Sequence, residues 1–194
     1  MKKILILLII LSLKVSTVYS MEPDVFVQST VNRASQILSK DLTKDQKIIE
    51  LKSIAKETVD IVGVGFYSLG SVRKNLNENQ KEQYLNLFEK YFLKSFSSRL
   101  SEYTNPKIEV EGKKKINENY TIVNSLLIGT SERPEVKIDW RIYTKNPDNP
   151  LIRDLIIEGL SLARTQKEEF ASILNSNDGD INSLFKVLDE FSKN

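Results

Sequence analysis

"LIIEGLSLARTQKEEFASIL", Leu155–Leu174, begins as an apolar run, passes through Glu158-Gly159 and continues as an amphipathic segment. Read outward, it gives a strand over 152–161 feeding a helix over 163–175. In that strand Ile156, Glu158, Leu160 and Leu162 share one face, and Leu155, Ile157, Gly159 and Ser161 share the other. Apolar residues fall on both faces, so the strand is expected to be covered on both sides for part of its length. Gly159 is expected to remove a side chain where a helix or a ligand approaches closely. Glu158 is costly to bury unless paired or hydrogen-bonded. It is expected at the sheet rim, accepting hydrogen bonds from a neighbouring loop or from the following helix. A catalytic role is the sharper reading, but no second acid stands obviously beside it.

Three strands precede this one. Lys107–Gly112 alternates Ile108 and Val110 with charges. Tyr120–Ile128 places Tyr120, Ile122, Leu126 and Ile128 on one side. Val136, Ile138, Trp140 and Ile142 alternate with Lys137, Asp139, Arg141 and Tyr143. The connections Gly112–Lys115, Gly129–Pro134 and Asn146–Pro150 are polar and turn-rich, which predicts an antiparallel meander of about four strands. Upstream, a helix over 23–40 has Pro23 in its first turn and Val27, Val31, Ala34 and Leu38 on one face. A second starts at Thr43, whose spacing to Gln46 is that of a capping box. Residues 61–72 form a buried, glycine-containing helix. Asn77, with Gln80 at the third position, caps a helix over 78–103 whose apolar side is Tyr84, Phe88, Tyr91, Phe92, Phe96 and Tyr103, and Asn105-Pro106 stops it. A last helix covers 180–192. Helices, then strands, then helices make an α+β fold, a curved antiparallel sheet with N-terminal and C-terminal helices packed on it.

Composition narrows the chemistry. Met1–Ser20 reads as a secretory signal peptide: Met1-Lys2-Lys3, an apolar run Ile4–Leu13, then Val18-Tyr19-Ser20, with cleavage expected after about Ser20. Residues 21–194 then form one domain. The leader holds Lys2, Lys3 and Lys14 and no acid, so the formal charge falls from +2 to −1 on its removal. That balance gives no support to a nucleic-acid partner. No second apolar stretch is long enough to span a bilayer, so the mature chain is expected to be soluble; the leader predicts export, and a monomer is expected. The sequence has no histidine and no cysteine. Disulfides, a Ser-His-Asp triad, a cysteine nucleophile and a His- or Cys-ligated zinc are therefore excluded. Enzymes built on carboxylates, lysine or tyrosine remain. No metal-ligand spacing stands out among the acids, and no cofactor is expected. Gly63-x-Gly65 with Gly70 is not a dinucleotide fingerprint, because the third glycine is misplaced and no strand precedes it. Helix packing, or flexibility at a cavity mouth, is expected there. Lys113-Lys114-Lys115 reads as a solvated turn, with contact to anionic headgroups or an acidic docking surface as the second reading.

Glu158-Gly159-Leu160-Ser161-Leu162, followed by Phe170-Ala171-Ser172-Ile173-Leu174, resembles the signature of the MlaC family of periplasmic phospholipid carriers. Leu69-Gly70 ahead of Asn79-Gln80, the aromatic helix with Tyr84 and Phe88 ending in Leu100 to Tyr103, and Asp154 before the signature strand extend the resemblance over about 22–192. Val72-Arg73, Pro150-Leu151 and Lys167 depart from the family pattern. The resemblance implies a carrier, not an enzyme. It would hold one phospholipid with its acyl chains in an apolar cavity and shuttle it between outer and inner membranes. The implied partners are an outer-membrane lipoprotein complex and an inner-membrane ABC transporter with an MCE ring. Two acyl chains hold roughly 30 methylenes at about 0.8 kcal/mol each, on the order of 20 kcal/mol, which only a deep apolar lining can match. Candidates for that lining are Phe88, Phe92, Phe96, Ile122, Leu126, Trp140, Ile142, Ile156, Leu160, Phe170 and Leu174. The same stripe at helical spacing is also what an ordinary α+β core looks like. The alternatives are an interaction or chaperone module with a filled core, and a carboxylate hydrolase using Glu158 or Asp154.

Overall fold

The computed structural model describes residues 21–131 and 133–193, so the expected signal peptide lies outside the described residues. The chain runs through α1 (Pro23–Ser39), α2 (Lys44–Thr58), α3 (Ile61–Leu69), a 3-10 turn (Val72–Lys74) and α4 (Glu78–Leu100). Then follow β1 (Ile108–Asn117), β2 (Tyr120–Leu127), β3 (Val136–Tyr143), β4 (Leu151–Ile157), β5 (Leu160–Ser161), α5 (Leu162–Asn175) and α6 (Ile181–Lys193). The strands form one open antiparallel sheet in sequential order, with the helices packed on it. No helix among the described residues is long and apolar enough to cross a membrane.

Both capping boxes form. Thr43 Oγ1 accepts from Gln46 N at 3.3 Å, and Gln46 Oε1 accepts from Thr43 N at 2.9 Å. Asn77 and Gln80 make the same exchange at 2.9 and 3.0 Å. Each satisfies amide groups that the first turn of a helix leaves without partners. α3 comes close to α4 because Gly65 has no side chain. A Cβ there would stand 2.8 Å from the Phe88 ring, and the Gly65 carbonyl accepts the Tyr84 hydroxyl at 2.9 Å. Helix packing is thus the use of this glycine.

The opening stretch corrects two expectations. Residues 152–161 are not one strand. β4 ends at Ile157, Glu158 and Gly159 turn, and β5 pairs back antiparallel, Ile157 opposite Leu160 and Ile156 opposite Ser161. Glu158 (φ 49°) and Gly159 (φ 82°) both have positive φ, the pattern of a type I′ hairpin turn. Gly159 is therefore there for its backbone, not for a close neighbour: a Cβ on it would meet nothing within 4 Å. Glu158 sits at the sheet rim. Its N–H donates to Lys137 O at 3.0 Å and its carboxylate accepts from Lys137 N at 2.6 Å.

β1 is also longer than expected. It continues through Gly112-Lys113-Lys114-Lys115 to Asn117, with bulges at Glu111 and Ile116. The reversal falls at Glu118-Asn119, where Asn117 Oδ1 accepts from Asn119 N at 2.9 Å. The lysine run is thus strand, not turn. Lys113 holds Glu22 and, at 2.7 Å, Asp24, tying β1 to the start of α1.

The phase of β2 is a further correction. Its buried residues are Thr121, Val123 and Ser125, not Ile122 and Leu126. Val123 lies opposite Trp140 and Ser125 opposite Ile138, so these share the helix-covered face, while Ile122 lies opposite Arg141 and Leu126 opposite Lys137. The reason is polar. The Trp140 indole N–H donates to Ser125 Oγ at 2.8 Å and Ser125 Oγ donates to Ile138 O at 3.1 Å. A buried indole needs an acceptor, and Ser125 provides it.

The turn gives a testable expectation. Gly159→Ala keeps the strands but forces an L side chain into positive φ, at a cost of about 1 kcal/mol. A lowered urea midpoint with unchanged slope is the expected result, whereas Glu158→Asn, which suits the same turn geometry, should lower it less.

Candidate functional site

Two apolar clefts lie between the helices and the inner face of the sheet. The first, about 170 Å³, runs between α4 and α5 over β3 and β4. Phe88, Tyr91, Phe92 and Phe96 line one wall, Leu162 and Ala163 the other, with Trp140, Ile152 and Leu155 beneath. The second, about 130 Å³, lies under α1 and α2. Val31, Leu38, Leu51 and Ile54 face Ile138 and Ile157 across it. Val59, Phe96, Trp140, Ile152 and Leu155 line both. The two clefts are therefore neighbours divided by a few side chains.

The inner face of β4 owes its shape to one irregularity. Ile142 lies opposite Ile152 and Arg141 opposite Asp154, so Arg153 is an extra residue in the ladder. The bulge lets Ile152 and Leu155 both face inward and sends Arg153 and Asp154 to anchor helices. Arg153 Nε donates to Asp60 Oδ2 at 2.6 Å, its NH1 donates to the Tyr120 hydroxyl at 2.6 Å, and its guanidinium lies 3.8 Å from the Tyr143 ring centre. Desolvation works against its charge, but these partners hold its pKa above the usual value. Asp60 in turn caps α3 through Gly63 N at 2.9 Å. Val59 bridges Ile152 and Asp60 N donates to Ile152 O at 3.0 Å, so the α2–α3 junction rests on the sheet.

Asp154 is 5% exposed. Its carboxylate accepts the Ser161 hydroxyl at 2.6 Å and Ala163 N at 3.0 Å, with Arg141 at 3.8 Å. Ser161 also caps α5, accepting from Arg164 N at 3.1 Å. The carboxylate thus stands at the N-terminus of α5, where exposed amides and the helix dipole favour a negative charge. Its oxygens are engaged in holding the hairpin to the helix. Glu158, bonded to the Lys137 amide, is likewise engaged. Among the described residues no three acidic groups stand together as a metal site.

The mouth of the first cleft is polar, formed by Ser95 and Arg99 from α4 and Thr165, Gln166 and Glu169 from α5. The Tyr91 hydroxyl donates to Gln166 Oε1 at 2.9 Å, and Gln166 Nε2 donates to Glu169 Oε2 at 3.0 Å. Burial pushes the Tyr91 hydroxyl above its ordinary pKa, the Gln166 bond opposes that, Glu169 adds to it and Arg99 opposes it.

The proposed lining residues separate into groups. Phe88, Phe92, Phe96 and Trp140 line the first cleft, and Phe96 and Trp140 also the second. Ile142, Phe170 and Leu174 are fully packed core; Phe170 sits edge-on to Phe88 at 6.2 Å and lines neither cleft. Ile122, Leu126 and Ile156 lie on the opposite sheet face, Ile122 in a shallow depression with Tyr67 and Ile116. Leu160, in the hairpin, is 59% exposed. Sequence reasoning missed Leu155, Ile157 and Val59. The bulge reverses the alternation before Leu155 and so turns Leu155 and Ile157 inward in place of Ile156, while Val59 follows Leu51 and Ala55 at helical intervals but reaches the cleft only through its pairing with Ile152.

The family model described as MlaC protein matches residues 28–190. A phospholipid-binding protein from Ralstonia solanacearum, solved in complex with a phospholipid, superposes with a TM-score of 0.75 at 18% identity. The match covers 89% of this chain and 98% of that one. No curated protein matches.

The anchoring carboxylate is open to test. Asp154→Ala leaves the Ala163 amide and the Ser161 hydroxyl without their buried acceptor, which typically costs about 1–3 kcal/mol. The expected outcome is a loss in that range by chemical denaturation, with faster amide exchange in the first turn of α5. Unchanged exchange there would remove Asp154 as the anchor.

Proposed function

The chain belongs to the MlaC family, and from that premise we propose that it is a phospholipid carrier whose acyl chains occupy the two clefts as one site. The observation that carries this reading is their shared wall. Phe96, Trp140 and Leu155 separate two apolar spaces, one under α4 and α5 and the other under α1 and α2, that lie on the same sheet face. Ligand sites of drug size take several hundred Å³, so clefts of about 170 and 130 Å³ must widen together to take a phospholipid. The helices are fixed to the sheet at defined points, through Arg153–Asp60, Asp60 N to Ile152 O, Asp154–Ser161, Lys113–Asp24 and Val110 N to Gln28, and between these points they meet it through apolar side chains. Such a layer separates without breaking the strand ladder. The structural neighbour, a phospholipid-binding protein of the same architecture, supports the assignment.

The wider role follows the family. The protein is exported after removal of Met1–Ser20 and acts as a monomer in a two-membrane envelope. It carries phospholipid between an outer-membrane lipoprotein complex and the MCE ring of an inner-membrane ABC transporter. Transfer makes and breaks no covalent bond, so the chain needs no cofactor. The absence of histidine and cysteine from the sequence is compatible with such work, because burial of acyl chains supplies the free energy.

Trp140 is the sole tryptophan and lies between the clefts. Mature protein mixed with vesicles of phospholipid brominated along the acyl chains should lose tryptophan fluorescence, and native mass spectrometry should show one added phospholipid mass. Full fluorescence together with a bare protein mass would overturn the carrier reading and favour a filled core serving protein contacts.

A further inference from the structure

The mouth of the first cleft carries a pattern of charge that the acyl chains do not require. Four charged residues line this cleft: Arg99, Arg153, Asp154 and Glu169. Arg153 is engaged by Asp60, and Asp154 by Ser161 and Ala163. The two at the mouth remain. Arg99 is exposed, in the last turn of α4, and its guanidinium makes no ion pair or side-chain hydrogen bond among the described residues. Glu169 is exposed on α5 and bonded only through one oxygen, to Gln166. The string Tyr91–Gln166–Glu169 starts on the cleft wall and holds that carboxylate at the rim, with its other oxygen facing no partner among the described residues.

One free cation and one oriented carboxylate at the same opening match a headgroup with one anion and one cation. We infer that this mouth selects phospholipids with a primary ammonium headgroup, phosphatidylethanolamine in type, with Arg99 on the phosphate and Glu169 on the ammonium. The inference rests on the carrier reading above. A guanidinium suits phosphate because its planar fork can donate two parallel hydrogen bonds. A carboxylate beside the headgroup repels a net anionic lipid such as phosphatidylglycerol, which has no cation to offer it. A trimethylammonium headgroup has no N–H to donate, so phosphatidylcholine gains the charge attraction without the hydrogen bond. Discrimination by an exposed pair is modest, and screening by salt weakens it.

The test loads mature protein from vesicles of equimolar phosphatidylethanolamine, phosphatidylcholine and phosphatidylglycerol with identical acyl chains. Bound lipid is then identified by native mass spectrometry. The expected result at low salt is roughly a threefold enrichment of phosphatidylethanolamine over phosphatidylglycerol, the ratio an exposed ion pair gives. Glu169→Gln should bring the bound phosphatidylethanolamine-to-phosphatidylglycerol ratio down to that of the vesicles. Arg99→Gln should lower loading of all three lipids together. Both residues are exposed, so neither variant should lose its fold. Loading in the vesicle ratio, or a preference that survives Glu169→Gln, would overturn the headgroup inference and leave the carrier reading standing. No lipid bound at all would overturn both.

Discussion

β4 cannot be regular if both helix groups are to be fixed to it. The extra residue at Arg153 turns one strand into a two-sided anchor: Arg153 takes hold of Asp60 at the start of α3, and Asp154 takes hold of Ser161 and Ala163 at the start of α5. Without the bulge, one of these charges would point into the apolar layer unpaired, which costs several kcal/mol for an ionised group. With it, the inner face keeps Ile152 and Leu155. The same local irregularity therefore satisfies the buried charges, orients the helices and furnishes the floor that both clefts share.

The remaining architecture follows from this arrangement. The Glu158-Gly159 turn is short enough to bring Ser161 back beside Asp154, seven residues on, so the hairpin ends as the helix begins. Gly65 lets α3 approach α4 against Phe88, which brings the aromatic wall of the first cleft over β4. Trp140 is fixed by its hydrogen bond to Ser125 and stands where the clefts meet. Each of these contacts is polar or steric and highly directional. The apolar surfaces between them are not, which is a reasonable division of labour for a protein proposed to exchange its own core contacts for those of a ligand.

Much of this was readable from the sequence, and the failures have definite causes. Helix starts were legible because capping chemistry is local: Thr43 with Gln46 and Asn77 with Gln80 act within four residues. The meander was legible because β3 alternates cleanly. β2 was not, because Ile122 and Leu126 are as apolar as Val123 and Leu127, and only the cross-strand bond from Trp140 to Ser125 decides which set turns inward. The Glu158-Gly159 pair was read as strand because a flanking apolar run hides a turn of two residues. At the candidate site, Phe88, Phe92, Phe96 and Trp140 were accessible to pattern reasoning. The polar mouth was not, since Arg99, Gln166 and Glu169 look like any solvated helix face until α4 and α5 are set side by side.

The partition of Phe96, Trp140 and Leu155 has a consequence for colloidal behaviour. A single open chamber wide enough for two acyl chains would present a continuous apolar patch whenever its mouth gaped, and large patches of that kind promote self-association. Dividing the space keeps each apolar surface narrow and flanked by helices. The molecule can then keep its most apolar surface folded against itself while no ligand fills it.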